Sequence, residues 1–241
     1  MTNALSPRDQ IGAETLAVMA EAPRFNTWMY DTIEPWLGRR ILEVGSGIGN
    51  MSAELLKRAD HLVVTDLDPW YRGQLAHRFA ARHQVRVEQL ELPDAGARDR
   101  FAADRLDTVV ALNVVEHIED DVAAVRSMRE LVMPGGRVVV LVPALPGLYG
   151  ELDRQLGHYR RYTRRSLGTV FTRAGLRMER LFWFNRVGIL GWWFNGRIRR
   201  LKQIPLSQLR SFDALVPLLR LEQYLKLPFG QSLIAVGTPA C

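Results

Sequence analysis

A doubly wound, mostly parallel seven-stranded sheet with helices on both faces is the α/β fold that this 241-residue chain predicts. Three observations predict it. Short apolar runs alternate with helical patterns, which implies right-handed crossovers between parallel strands. The first run ends in a glycine turn that opens a helix. The second ends in an acid, Asp66, 17 residues past the last glycine of that turn, where such a sheet places a carboxylate beside a bound ribose.

Residues 11–22 and 25–37 read as amphipathic helices, the second carrying Phe25, Trp28, Met29, Ile33 and Trp36 at near-helical spacing. Residues 41–47 form a buried strand running into the glycine turn, and 51–58 the helix behind it. Strands follow at 61–65, 85–90, 107–112 and 136–143, with helices at 70–82 and 120–132 between them. Beyond a Gly/Pro loop at 144–150 come a basic aromatic segment, a helix at 164–174 and a strand at 177–184. The run 232–237 closes the sheet. Residues 185–231 are far more than a hairpin needs, so they read as a helical cap inserted into one domain that spans 1–241.

Composition narrows the classes. Cys241 is the single cysteine, which excludes an internal disulfide framework and a cysteine zinc site. The first ten residues lack a leader pattern and no run approaches a spanning helix, so cytoplasmic residence is the expectation. Charge is unevenly placed: residues 1–150 carry 16 basic and 21 acidic side chains, and 151–241 carry 16 and 5. An anionic partner for the C-terminal part follows, or else a genome bias, since 29 of the 32 basic residues are arginine.

Glu43-Val44-Gly45-Ser46-Gly47-Ile48-Gly49 is the sharpest signal. Glycines at a strand–helix junction turn the chain tightly and let a ligand approach the main chain. The spacing is Gly-x-Gly-x-Gly rather than that of dinucleotide binders, and Glu43 precedes it. A carboxylate there repels a pyrophosphate but pairs with an ammonium group. A cationic nucleoside is therefore favoured over NAD.

EVGSGIG, TDLDP, LNVVEHIED and MPGGRVVVLVP, in that order, resemble the motif set of class I S-adenosylmethionine (SAM)-dependent methyltransferases over roughly residues 25–183 plus the last strand. The resemblance implies a Rossmann-like methyltransferase fold with SAM as cofactor and S-adenosylhomocysteine as product. It implies that Gly45, Ser46 and Gly47 line the methionine and ribose, that Glu43 faces the amino group, and that Asp66 takes the ribose hydroxyls with Leu67 on adenine. Either Glu91 or Asp94 stands near the adenine amino group; Glu91 is favoured, with Leu92 on the ring face. Asn113 matches the position below the sulfonium.

For the acceptor, His117 stands near the mouth as a base for a hydroxyl, or simply begins a helix. Glu119, Asp120 and Asp121 suit a helix's first turn, and no metal is expected. The segment 153–165 interleaves His158, Arg160, Arg161, Arg164 and Arg165 with Tyr159 and Tyr162 just past the fifth strand. Arg160 and Arg161 are candidates to grip an anionic group, and His158 and Tyr162 to act in catalysis. GHYRRYT also resembles a segment of small-molecule and glycan- or lipid-associated members of the superfamily. Residues 182–202 place Trp183, Trp192 and Trp193 beside Arg197, Arg199, Arg200 and Lys202, which suits either a peripheral membrane contact or an aromatic cap over the site.

Methyl transfer to a small-molecule or lipid- or glycan-linked acceptor, at oxygen, is the leading expectation. An RNA methyltransferase and a non-catalytic SAM-binding or membrane-recruited scaffold are the alternatives. Nucleic acid is not expected as a partner, because no RNA-binding motif or stacking platform is present. Oligomeric state is not legible.

Overall fold

The computed structural model describes residues 7–189, 206–224 and 227–240. Its sheet has seven strands: β1 (Arg40–Val44), β2 (His61–Thr65), β3 (Val85–Glu88), β4 (Thr108–Leu112), β5 (Arg137–Pro143), β6 (Leu176–Phe184) and β7 (Ser232–Pro239). They lie in the order β3-β2-β1-β4-β5-β7-β6, with β7 antiparallel to both neighbours and the other pairings parallel. The strand order reverses beside β1, so the loops after β1 and β4 part there and leave a crevice at the carboxyl ends of the strands.

Both sheet faces are covered, so the central strands are apolar on both sides. On one face Val109, Ala111, Val138, Val140 and Val142 pack against a layer that includes Met128 and Phe171. On the other, Ile41, Leu62, Val64, Val139 and Leu141 pack against a layer that includes Ile33, Leu55 and Leu75. Successive residues of β5 thus enter opposite layers, the period of two a strand requires.

The helices among the described residues are α1 (Pro7–Ala20), α2 (Pro23–Ile33), α3 (Asn50–Leu55), α4 (Pro69–Arg78), α5 (Ala97–Arg100), α6 (Asp121–Leu131), α7 (Glu151–Leu156), α8 (Arg164–Arg173) and α9 (Leu206–Leu219). Local chemistry sets several starts. Asp68 accepts from Trp70 N–H at 2.6 Å with Pro69 at the first position of α4. Asp120 accepts from Ala123 N–H at 2.9 Å to open α6. Thr163 and Ser166 satisfy each other's backbone N–H groups at the head of α8 (3.0 and 2.9 Å).

The expected elements are present, mostly displaced by a few residues at their ends, while α5 and α7 were not anticipated. The expected insertion is described only in part. Its helix α9 packs on α2, where Phe25 and Phe212 meet edge to face at 5.7 Å and Asp213 accepts from Phe25 N–H at 2.8 Å. Trp183 packs against the core. Trp192, Trp193, Arg197, Arg199, Arg200 and Lys202 lie outside the described residues. Among the described residues no helix is long and apolar enough to cross a membrane.

Candidate active site

The loop after β1 is held by its neighbours in the sheet. Ser46 N–H donates to the Thr65 carbonyl at 2.8 Å, and Thr65 Oγ1 donates to the Glu43 carbonyl at 2.8 Å. Gly45 and Gly47 sit at φ of 66° and 53°, conformations costly for any other residue type. Neither has room for a side chain: a Cβ on Gly45 lies 2.7 Å from Val114 Cγ2, and one on Gly47 lies 2.6 Å from Leu16 Cδ1. Leu16 comes from α1, which is tied down nearby by Asn50 Nδ2 donating to the Leu16 carbonyl at 2.9 Å.

Asp66 emerges from β2 beside this loop. One oxygen accepts from Gly47 N–H at 2.9 Å and the other from Asp68 N–H at 3.0 Å. A carboxylate offers about four lone-pair sites, so each oxygen keeps acceptor capacity for a hydroxyl. Burial raises its pKa, against the pull of those two backbone donors. A vicinal diol supplies the two further donors this group can use.

Glu43 is buried beneath the loop and hydrogen-bonded to Ser52 Oγ. Desolvation pushes its pKa up to about 7; the Ser52 and Ser46 hydroxyls oppose the rise, Asp66 adds to it, and Arg78 pulls weakly the other way. A carboxylate left short of countercharge in this way favours a cationic ligand. The loop, Asp66 and Glu43 together fit a nucleoside that carries an ammonium group.

At the third strand Glu91 is exposed and Leu92 buried. Asp94 is committed to Arg100 at 2.7 Å and to Gly96 N–H at 2.8 Å, which pull its pKa down despite burial. Of the two expected alternatives, Glu91 is therefore the carboxylate less engaged by the protein. Leu67 is half exposed beside Asp66.

Across the crevice, Asn113 leaves β4 at a φ of 55° while its N–H still donates to the Leu141 carbonyl at 2.8 Å. Val114 then covers Gly45. A left-handed Asn at a strand end, held by a neighbouring strand, is strain of the kind found at functional sites.

A short 3-10 turn, Val115–His117, follows. Tyr159 N–H donates to the Glu116 carbonyl at 2.8 Å, which joins this turn to the loop after β5. There the rings of His117 and His158 meet edge to face at 4.7 Å. His158 Nδ1 lies 2.9 Å from Asp153 Oδ1, and the same oxygen accepts from Arg161 Nε at 2.8 Å. Burial alone raises the Asp153 pKa, but His158 and Arg161 hold the carboxyl below its usual range. Glu116 is fully buried and its carboxylate oxygens have no partner among the described residues; burial lifts its pKa to about 8, with Arg161 opposing. A cavity of about 420 Å³ opens beside His158, lined also by Tyr149, Arg154, Gly157 and Tyr159.

Two expected site residues belong to the scaffold of this loop. Tyr162 is buried and donates to Asp121 Oδ2 at 2.9 Å, so its hydroxyl stays protonated; burial is the main cause. Arg161 is buried, with its guanidinium on Asp153 and on the Ala144 carbonyl at 3.1 Å. Arg160 is more open, paired to Asp121 at 3.0 Å and donating to the Glu119 carbonyl at 2.6 Å. Asp120 and Asp121 begin α6 as expected.

A family model described as a methyltransferase domain matches residues 14–181. The chain belongs to this methyltransferase family. SAM is accordingly its cofactor, and the two residues expected to hold the amino group and the ribose, Glu43 and Asp66, stand together at the β1 and β2 loops. Among curated relatives, the ubiquinone biosynthesis O-methyltransferase of Aeromonas salmonicida is 27% identical over 115 residues, covering 47% of each chain. An uncharacterized methyltransferase of Mycobacterium tuberculosis is 28% identical over 147 residues, 60% of this chain and 55% of that one. The chain thus spans about half the length of the curated relatives it matches.

Solved structures share the methyltransferase's fold. A chain from the complex between the Haloferax volcanii Trm112 methyltransferase activator and a methyltransferase superposes with a TM-score of 0.66 at 13% identity, covering 99% of this chain and 100% of that one. Phosphoethanolamine N-methyltransferase 2 of Haemonchus contortus, bound to SAM, gives 0.54 at 16% identity, covering 85% and 49%.

Sequence reasoning had not assigned roles to Glu116, Asp153, Tyr149 and Arg154. An acid directly before a histidine past an apolar strand was the one local hint of Glu116. The other three depend on how the loop after β5 folds back onto the β4 turn.

Proposed function

We propose that this methyltransferase moves the methyl group of SAM to an oxygen nucleophile on a small-molecule or lipid- or glycan-linked acceptor that carries an anionic group. The observation that carries the reading is the proximity of two unlike sites across the β4 end. Val114, in contact with Gly45 of the cofactor loop, is followed two residues later by Glu116 of the histidine–carboxylate cluster.

Attack on the methyl carbon breaks its bond to sulfur in one in-line displacement, and the sulfonium is already a good leaving group. Positioning of the nucleophile then supplies most of the acceleration. A hydroxyl acceptor must also lose its proton, and the Glu116, His117 and His158 cluster is the place where that proton is handled. Arg154 and Tyr149 in the adjoining cavity suit an anionic group remote from the reacting atom, with Arg160 over the ring of Tyr159, which also lines it. Oxygen as the attacked atom is supported by the chemistry named for the Aeromonas relative. A peripheral membrane contact is supported by the exposed apolar side chains Leu215, Leu218, Leu221 and Tyr224, which belong to the same insertion.

Calorimetric titration with SAM, S-adenosylhomocysteine and NADH tests the cofactor half. Micromolar binding of the first two with no NADH signal is expected, and retention of NADH alone sinks the reading. Formation of S-adenosylhomocysteine with a crude cell extract tests the enzyme against a SAM-binding scaffold. Its absence with a protein that binds SAM favours the scaffold.

A further inference from the structure

We propose that Glu116, His117 and His158 form a binding site for one divalent transition-metal ion of the Zn²⁺ type at the acceptor end of the crevice. A carboxylate oxygen and two imidazole nitrogens from these residues lie within 4.8 Å of one another. Bonds of about 2.0–2.2 Å place donors roughly 3–3.5 Å apart around such an ion. Rotations that draw the side chains in by about 1–2 Å complete the arrangement.

Two independent features point to an occupant. Glu116 is 0% exposed, and its carboxylate oxygens have no partner among the described residues, a state proteins avoid unless something charged completes the site. His158 is oriented from behind: Asp153 holds Nδ1 at 2.9 Å and is itself held by Arg161 and by Gly150 N–H, each within 3 Å. That leaves Nε2 as the ligating atom. A carboxylate behind a ligating histidine is the usual support of such metals, fixing the tautomer and strengthening the donor.

The surrounding charge permits a dication. Asp153 and Asp121 balance Arg160 and Arg161, and Glu116, which gives up its proton as the ion binds, adds the negative charge that faces it. Two histidines and one carboxylate suit Zn²⁺, Mn²⁺ or Fe²⁺ better than Mg²⁺, which prefers oxygen ligands and keeps its waters. Three protein ligands leave at least one position open. The site's role rests on the proposed methyl transfer: an acceptor hydroxyl reaching that position is oriented and made more acidic, its proton passing to water. The binding itself does not depend on that role.

Untagged full-length protein, stripped with chelator and desalted, is titrated with Zn²⁺ and with Mg²⁺ by calorimetry. The same samples are titrated with S-adenosylhomocysteine, and thermal melting checks their fold. One Zn²⁺ per chain at micromolar affinity or tighter is expected, at least tenfold tighter than Mg²⁺. Glu116→Gln and the half-buried His117→Ala should each weaken Zn²⁺ at least tenfold while leaving S-adenosylhomocysteine affinity within about twofold. Having two variants keeps the test alive if one fails to fold. No Zn²⁺ binding by folded wild-type protein, or binding indifferent to both substitutions, overturns the site. Wild-type protein that holds Zn²⁺ but not S-adenosylhomocysteine leaves the metal site standing and removes the methyl-transfer reading.

Discussion

The cofactor half of the crevice and the half proposed to take the acceptor are built by different means. The first is local: a glycine loop and an acid from adjacent parallel strands, joined by hydrogen bonds such as Gly47 N–H to Asp66 at 2.9 Å. The second is assembled from the β4 turn and the loop after β5, with Glu116 and His158 brought together across the fold. A change in one half should therefore leave the other's binding intact, and the two can be separated experimentally.

The largest effect should come from the acceptor half. His158→Ala removes the group that Asp153 orients, and turnover should fall by roughly 10²–10⁴, the usual range when help with a proton transfer is lost, whether the imidazole acts directly or by holding an ion. Affinity for SAM, measured by calorimetry, should stay within about twofold. Equal loss of both would break the separation and make His158 a folding residue.

Asp66→Ala is the reverse test. The ribose then loses two charge-assisted hydrogen bonds, each worth about 1.5–3 kcal/mol, so SAM should bind about a hundredfold more weakly or worse. Melting temperature without ligand should change little, because the lost carboxylate is itself penalised by burial. Unchanged affinity rejects the ribose assignment.

The same division explains what could be read in advance. The strand alternation, the glycine loop and Asp66 lie in short runs whose spacing is set by one βαβ unit, so pattern was enough to place them. Glu43 was legible because it adjoins that loop. Arg161 and Tyr162 were misplaced as ligand contacts because alternating arginines and tyrosines look alike whether they face solvent or core. Only the tertiary fold puts Arg161 on Asp153 and Tyr162 on Asp121. The short helix α7 was missed because its six residues are too few for a helical period to register. Expecting no metal rested on the acidic run 119–121, of which Asp120 caps α6 and Asp121 begins it; the histidine cluster was not visible as a spacing.

Glu43 sharpens the comparison through pH. Its folded pKa of about 7 lies above the ordinary value of 4.5, so the folded protein holds more protons than the unfolded chain between these values. Stability without ligand should therefore decline as pH rises from about 4.5 to 7, by up to about 3 kcal/mol, and level off above. Cofactor affinity should move the other way: below pH 7 the acid is increasingly neutral and loses its attraction for an ammonium, by up to about tenfold per unit. Glu43→Gln should flatten both profiles, read by chemical denaturation and by calorimetry, while the acceptor half is untouched. A wild-type affinity that is level from pH 6 to 8 removes Glu43 from the cofactor's amino group.

The smallest effect tests the anionic acceptor itself. Arg154 lines the cavity beside His158 and stacks over the Tyr149 ring at 5.5 Å, but its partner Glu151 is distant at 3.4 Å and both are well exposed. An exposed pair of this kind contributes about 0–1 kcal/mol, so Arg154→Ala should not disturb the fold. Its guanidinium is positioned to meet a remote anionic group rather than the reacting atom, and such contacts act equally on ground and transition states. KM for the acceptor should rise a few-fold with kcat unchanged, and the rise should shrink at high salt as surface charges are screened. A fall in kcat at constant KM would instead place Arg154 with His158 in the chemistry and redraw the boundary between the cavity and the cluster.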